Sequence, residues 1–188
     1  MSTLYITIIV QAIGLLAVVC FIFSFQIKSN KALFLCQMAG SALFCVQYML
    51  LGAFTGCLSY LAAIIRNIML SNMQKAEWLR WKGWSWLFSA VALVIMVFTW
   101  QGPASILPTL AFVVGSFALW TDNAQKIRFY NLICISPSYL AYGIYAGSIG
   151  AILNEIFILS SIIISIYRYG WKAMGENKFK NKKDAKDR

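Results

Sequence analysis

Seven apolar runs, each close to the length of a bilayer crossing, leave this chain few folds to choose from. A spanning helix needs about 20 largely apolar residues. Leu4–Phe25 is almost uninterrupted; Ala32–Leu51, Cys57–Ser71, Trp84–Trp100, Ile106–Trp120, Phe129–Tyr145 and Ala151–Tyr169 follow. The third and fifth runs reach spanning length only when their flanks are counted. No basic segment precedes the first run and no clear cleavage site follows it, so it reads as a retained helix rather than a secretory signal. Composition agrees: 61% of residues are hydrophobic and 12% charged, against about a quarter charged in a soluble domain.

The connections alternate. Lys28 and Lys31 lie between runs one and two, Lys75, Arg80 and Lys82 between three and four, and Lys126 and Arg128 between five and six. Arg168 and a Lys-rich tail follow run seven. The amino terminus and the turns Gly52–Gly56, Gln101–Ser105 and Ala146–Gly150 carry no Lys or Arg. The positive-inside rule then predicts seven helices, the amino terminus periplasmic or external and the carboxyl terminus cytoplasmic. Trp78, Trp81, Trp84, Trp120 and Trp171 fall near the cytoplasmic interface and Trp100 near the outer one, as an aromatic belt requires. The net charge of +10 is thereby a topology signal and a tail that touches anionic lipid, not a nucleic-acid surface. The tail, Gly170–Arg188, is too polar to bury a core and is expected to be disordered.

Chemistry is constrained as well. The chain has no histidine and six acidic residues, which removes histidine acid–base catalysis and the common zinc ligand sets. The five cysteines, Cys20, Cys36, Cys45, Cys57 and Cys134, all sit in apolar runs without a C-x-x-C pair and read as small buried hydrophobes. With no Ser/Lys dyad at lipid depth and no acid pair, an enzyme is not expected, nor is a cofactor or a bound metal.

Residues 23–68 and 117–162 share a layout at an offset of 94 positions: run, basic connection, run, small uncharged turn, run. Phe23/Phe117, Tyr48/Tyr142, Gly56/Gly150, Ile64/Ile158 and Ile68/Ile162 are identical pairs. Three helices per copy is an odd number, so the fourth run must separate the copies if both are to point the same way. That arrangement predicts parallel repeats about an axis along the membrane normal, the geometry known from SWEET transporters.

The stretch Tyr139-Leu-Ala-Tyr142-Gly143-Ile144, followed by Ile152-Leu-Asn154, resembles the aromatic–x–x–Tyr–Gly…Asn signature of the MtN3/SWEET superfamily. The whole chain looks most like the Imp-YgjV family of small bacterial inner-membrane proteins, which is grouped with that superfamily. The resemblance implies an all-α polytopic membrane protein: seven transmembrane helices as two parallel three-helix bundles joined by a linker helix (3+1+3, SWEET-like). The division is then a first bundle at residues 1–73, a cytoplasmic loop and linker helix at 74–101, a second bundle at 102–169 and the basic tail at 170–188. The resemblance also implies a central translocation path, in which Asn154 matches a solute-contacting Asn and Tyr60 stands at the equivalent place in the first copy. The superfamily's Pro-Gln motif is absent; Phe25-Gln26 and Leu119-Trp120 stand near its positions.

Polar residues at lipid depth carry the functional reading, because charge there is costly and faces a bundle interior, a wet cavity or the headgroups. Arg66 and Asn67 lie near the middle of run three; Asn154 and Glu155 lie in the outer half of run seven. Arg66 either snorkels to the headgroups or turns inward. Glu155 either sits neutral near the interface, pairs with Arg66, couples to protons or contacts substrate. Gln11, Gln37, Gln47 and Asn131 are weaker candidates. Pro108 and Pro137 are hinge points or packing irregularities, and Gly14, Gly40 and Gly115 are close-packing positions. The expected function is an inner-membrane small-solute transporter or facilitator with a site at Tyr60, Arg66, Asn67, Asn154 and Glu155. An arginine there favours an anionic or zwitterionic solute over a neutral sugar. The alternative is a non-transporting structural or interaction protein of the same membrane. Expected partners are membrane lipid and a small solute; self-association stays open.

Overall fold

The computed structural model describes residues 2–26, 30–72, 76–121 and 124–169. The elements are α1 (Ser2–Gln26), α2 (Asn30–Leu50), α3 (Phe54–Ser71), a 3₁₀ turn (Glu77–Arg80), α4 (Gly83–Phe98), a second 3₁₀ turn (Pro103–Ser105), α5 (Ile106–Trp120), α6 (Ala124–Tyr130), a π turn (Asn131–Ile135), α7 (Ser136–Ala146) and α8 (Ile149–Tyr169). Lys28, Lys75, Trp171 and the tail at 170–188 lie outside the described residues.

Local chemistry sets the breaks. Gly52 (φ +71°) and Gly147 (φ +69°) take the left-handed conformation that a glycine adopts without a Cβ penalty. Each lets the chain reverse within three residues: Ala53 N–H donates to the Tyr48 carbonyl at 2.9 Å, and Ser148 N–H to the Gly143 carbonyl at 2.9 Å. Pro137 has no N–H to give to Ile133, and the helix widens into the π turn just before it. Pro108 is different. It sits in the first turn of α5, where a missing donor leaves no bond unmade, so it does not kink the helix.

The expected seven transmembrane helices in a 3+1+3 arrangement are corrected by the structure. Among the described residues three helices, Tyr5–Phe23, Phe54–Ser71 and Pro103–Trp120, are long and apolar enough to cross a membrane. Leu35–Leu50, Gly83–Phe98 and Ile149–Ile164 are apolar but shorter. The physical reason is that an apolar run counts residues that are not helical. The 16 residues of α4 rise about 24 Å, short of the roughly 30 Å hydrocarbon thickness. The sixth run is divided by the π turn.

The packing order also differs from two separate bundles. α1 packs on α2, α2 on α3, α3 on α5, α5 on α7, α7 on α8, and α8 returns to α1, while α4 lies against α5 and α3. At the closing contact a Cβ on Gly150 would fall on the Gly14 backbone, so the two helices meet backbone to backbone. Two cores fill the interior. One gathers Ala17, Phe44, Tyr48, Cys57, Tyr142 and Ala151; the other gathers Ala62, Ala63, Phe88, Ala92, Phe112 and Trp120. The outside carries Ile6, Leu16, Trp86, Leu93, Phe98 and Ile163, whereas Gln47, Thr55, Arg66, Ser116, Asn154 and Glu155 are buried. Apolar side chains outward and polar ones inward is the distribution expected where lipid is the solvent.

Candidate functional site

Arg66 is the centre of the site. It sits on α3 with 9% of its surface exposed and crosses to α5. Nη1 donates to Ser116 Oγ at 3.0 Å and to the Phe112 carbonyl at 3.4 Å. The Ser116 hydroxyl in turn donates to the Phe112 carbonyl at 2.8 Å, one helical turn back. The guanidinium carbon lies 4.5 Å from the centroid of the Phe112 ring, a cation–π contact. α5 thus presents a ring, a hydroxyl and a carbonyl to one edge and one face of the guanidinium. Nε, by contrast, is buried without a hydrogen-bond partner among the described residues. The contacts Arg66 does make are to a hydroxyl, a carbonyl and a ring, not to a carboxylate. A buried charge without its partner is costly, and here the compensation comes from neutral groups.

A cavity of about 220 Å³ opens beside this residue. Arg66, Asn67, Gln37, Asn131 and Tyr139 supply its polar wall; Ala111, Gly115, Ala118, Leu119, Ile127 and Ile135 supply the apolar part. Gly115 matters because it has no side chain: a Cβ there would stand 3.5 Å from Arg66 Nη1. Asn131 is turned partly aside, its amide donating to the Ile127 carbonyl at 3.0 Å.

Tyr60 does not line the cavity. Its ring lies 5.8 Å from that of Tyr139, which does, and 5.6 Å from that of Tyr48. The Tyr48 ring in turn meets that of Tyr142 at 5.4 Å, tilted by 37°. Asn154 and Glu155 lie apart from the cavity, 3% and 4% exposed. Asn154 Nδ2 donates to Glu155 Oε1 at 3.2 Å. The Ser136 hydroxyl faces the same carboxyl without a hydrogen bond of standard geometry, and Asn154 Oδ1 has no partner.

The structure therefore brings Arg66 and Asn67 to one cavity, sets Tyr60 one ring behind it, and holds Asn154 and Glu155 in a second polar cluster beyond Tyr139. The Arg66–Glu155 ion pair considered from the sequence does not form; each side chain is bonded to neutral groups instead. Gln37 and Asn131, the weaker candidates, are on the cavity wall. Gln11 and Gln47 are not. Gln11 Nε2 donates to the Gly147 carbonyl at 2.7 Å and Ser148 Oγ to Gln47 Oε1 at 2.8 Å, so both hold the α7–α8 turn. The α2–α3 turn is held in a similar way, by Gln101 Nε2 on the Gly52 carbonyl at 2.6 Å. Sequence reasoning missed Phe112, Ser116 and Tyr139 as site residues. Gly115-Ser116, two small residues in the middle of an apolar run, was the available signal.

The cysteines are free, and two of them, Cys45 and Cys57, touch at 3.3 Å between sulfurs. Among the described residues no group of three or more Cys, Asp or Glu side chains could hold a metal ion.

A family model described as Imp-YgjV, bacterial inner membrane protein, matches residues 8–173. The match spans the Arg66 cavity and the Glu155 cluster, and none of the comparisons links the chain to the MtN3/SWEET superfamily. No curated protein and no solved structure matches the chain.

Proposed function

The chain belongs to the Imp-YgjV family of bacterial inner membrane proteins, and from that premise we propose that it carries a small anionic or zwitterionic solute through the Arg66 cavity. One observation supports this above the rest: a buried guanidinium whose Nη1 is pinned to Ser116 while, among the described residues, its Nε has no partner, on the wall of a cavity. A guanidinium fork matches a carboxylate geometrically and stays charged under all ordinary conditions. Asn67 and Tyr139 stand on the same wall. The cavity, about 220 Å³ and partly open to the outside, has room for a short carboxylate or a small amino acid. Tyr48 and Tyr142, related by the offset of 94 positions, meet ring against ring at 5.4 Å in the core, which supports a repeat in the chain's origin. The bias of Lys and Arg supports an amino terminus outside and a carboxyl terminus in the cytoplasm.

The test uses purified full-length protein in detergent with acetate, glycine and glucose. Acetate or glycine raises the melting temperature of wild type and leaves Arg66→Ala unmoved, while glucose moves neither. A shift that survives Arg66→Ala, or one produced by glucose alone, sinks the assignment. No shift with any of the three, together with a protein that co-purifies in stoichiometric amount, favours the non-transporting interaction role.

A further inference from the structure

We propose that Cys45 and Cys57 form a redox site, a dithiol that closes to a disulfide and ties α2 to α3 beside the turn that joins them. The site does not depend on the Arg66 cavity. Both residues are free thiols, and their sulfurs lie 3.3 Å apart on helices that pack against each other. A disulfide holds its sulfurs at about 2.05 Å, so little distance remains to close.

The surroundings already hold the pair in place. The link encloses the reversal at Gly52, whose φ of +71° turns the chain between Leu50 and Phe54. Ala53 N–H donates to the Tyr48 carbonyl at 2.9 Å, and Gly56 N–H to the Tyr142 hydroxyl at 3.1 Å. The backbone on the Cys57 side is therefore fixed before any bond forms. The connection at residues 52–56 has no Lys or Arg, a bias that supports its placement outside the cytoplasm, on the side where disulfides form and persist.

The two sulfurs differ in access, and this sets the order of steps. Cys45 is partly exposed and Cys57 is buried. The oxidant is itself a disulfide, carried in that compartment by an oxidised dithiol protein. Cys45, as thiolate, attacks one sulfur of the oxidant, forms a mixed disulfide and releases one thiol. Cys57, as thiolate, then attacks the Cys45 sulfur and displaces the second thiol. Two S–H bonds of the chain and one S–S bond of the oxidant break. One S–S bond forms in the chain, and the oxidant leaves as two thiols holding the two electrons and two protons. The second step is intramolecular between neighbours already in contact, so it outruns attack by a second molecule of oxidant.

The probe is hydroxyethyl disulfide, applied at pH 8 to detergent-solubilised full-length protein, with remaining thiols then blocked by N-ethylmaleimide. The sequence supplies the readout. Cyanogen bromide cleavage after Met38, Met49 and Met69 leaves Cys45 as the one cysteine of residues 39–49 and Cys57 as the one cysteine of residues 50–69. Mass spectrometry of treated wild type should find these two fragments joined, and dithiothreitol should part them. Cys57→Ser should instead stop at the hydroxyethyl mixed disulfide on residues 39–49. Separate fragments from treated wild type, each carrying maleimide, overturn the site. So does wild type that stops at the same mixed disulfide as Cys57→Ser. Residues 39–49 joined to the fragments that hold Cys20 and Cys36, or Cys134, give Cys45 a different partner and also overturn it.

Discussion

Ser116 and Gly115 are adjacent on α5 and serve the same guanidinium in opposite ways. Ser116 gives it an acceptor at 3.0 Å; Gly115 gives it space. Removing the hydroxyl leaves a buried charged donor short of a partner, which costs about 1.5–3 kcal/mol. Ser116→Ala should therefore lower stability by that much in detergent unfolding. In an Arg66→Met background the same substitution should cost about 1 kcal/mol or less, because the stranded charge is gone. Equal costs in both backgrounds would mean that Ser116 acts only through the Phe112 carbonyl. Gly115→Ala should go the other way. Its Cβ meets Arg66 Nη1 at 3.5 Å and Ile135 Cδ1 at 3.6 Å, ordinary contacts, and alanine is favoured over glycine within a helix by about 1 kcal/mol. The variant should be as stable as wild type or more so, yet bind acetate more weakly because a methyl stands in the cavity. Unchanged acetate binding would put the solute somewhere else.

A methyl added at Gly150 tests the crossing of α1 and α8 rather than the site. There it would meet the Gly14 backbone, which cannot swing aside as a side chain can. Gly150→Ala should cost about 1–3 kcal/mol through forced separation of the two helices, in contrast to Gly115→Ala, and the two melting temperatures should part in opposite directions. How much of each element was legible in the sequence follows from what hydropathy measures. Ile106–Trp120 was expected as a run and is α5. The fourth run reads as reaching Trp100 but α4 stops at Phe98, since Thr99 and Trp100 are uncharged without being helical. The break at Asn131–Ile135 was hidden because a π turn changes hydrogen bonding, not hydropathy. Arg66 stood out as a charge in an apolar run. Phe112 and Tyr139 did not, because their role is conferred by α3 lying against α5 and by the Tyr60–Tyr139 contact, neither of which a single run encodes.

The ring has two seams between its halves: α3 against α5, with α4 beside them, and α8 against α1. Which helix closes on which could not be read from alternating charge, because that pattern bears on the side of each connection and not on the neighbour of each helix. The closure makes a prediction about the whole molecule. Residues 73–75 fall between α3 and the 3₁₀ turn that precedes α4, so a chain divided there yields one piece with α1–α3 and another with α4–α8. Helices inserted separately into a membrane associate through packing and interhelical hydrogen bonds, and both seams supply these. Arg66 bonds across the first; Gln11, donating to the Gly147 carbonyl at 2.7 Å, bonds across the second. The two pieces, co-expressed with a tag on one, should co-purify at equal stoichiometry. Gly150→Leu in the second piece should reduce recovery of the untagged piece sharply, because it opens the α1–α8 seam and leaves only the first. Full recovery with Gly150→Leu would show that the α1–α8 crossing is not needed, and that the half carrying Arg66 keeps its partner through the contacts of α3 with α4, α5 and Tyr142.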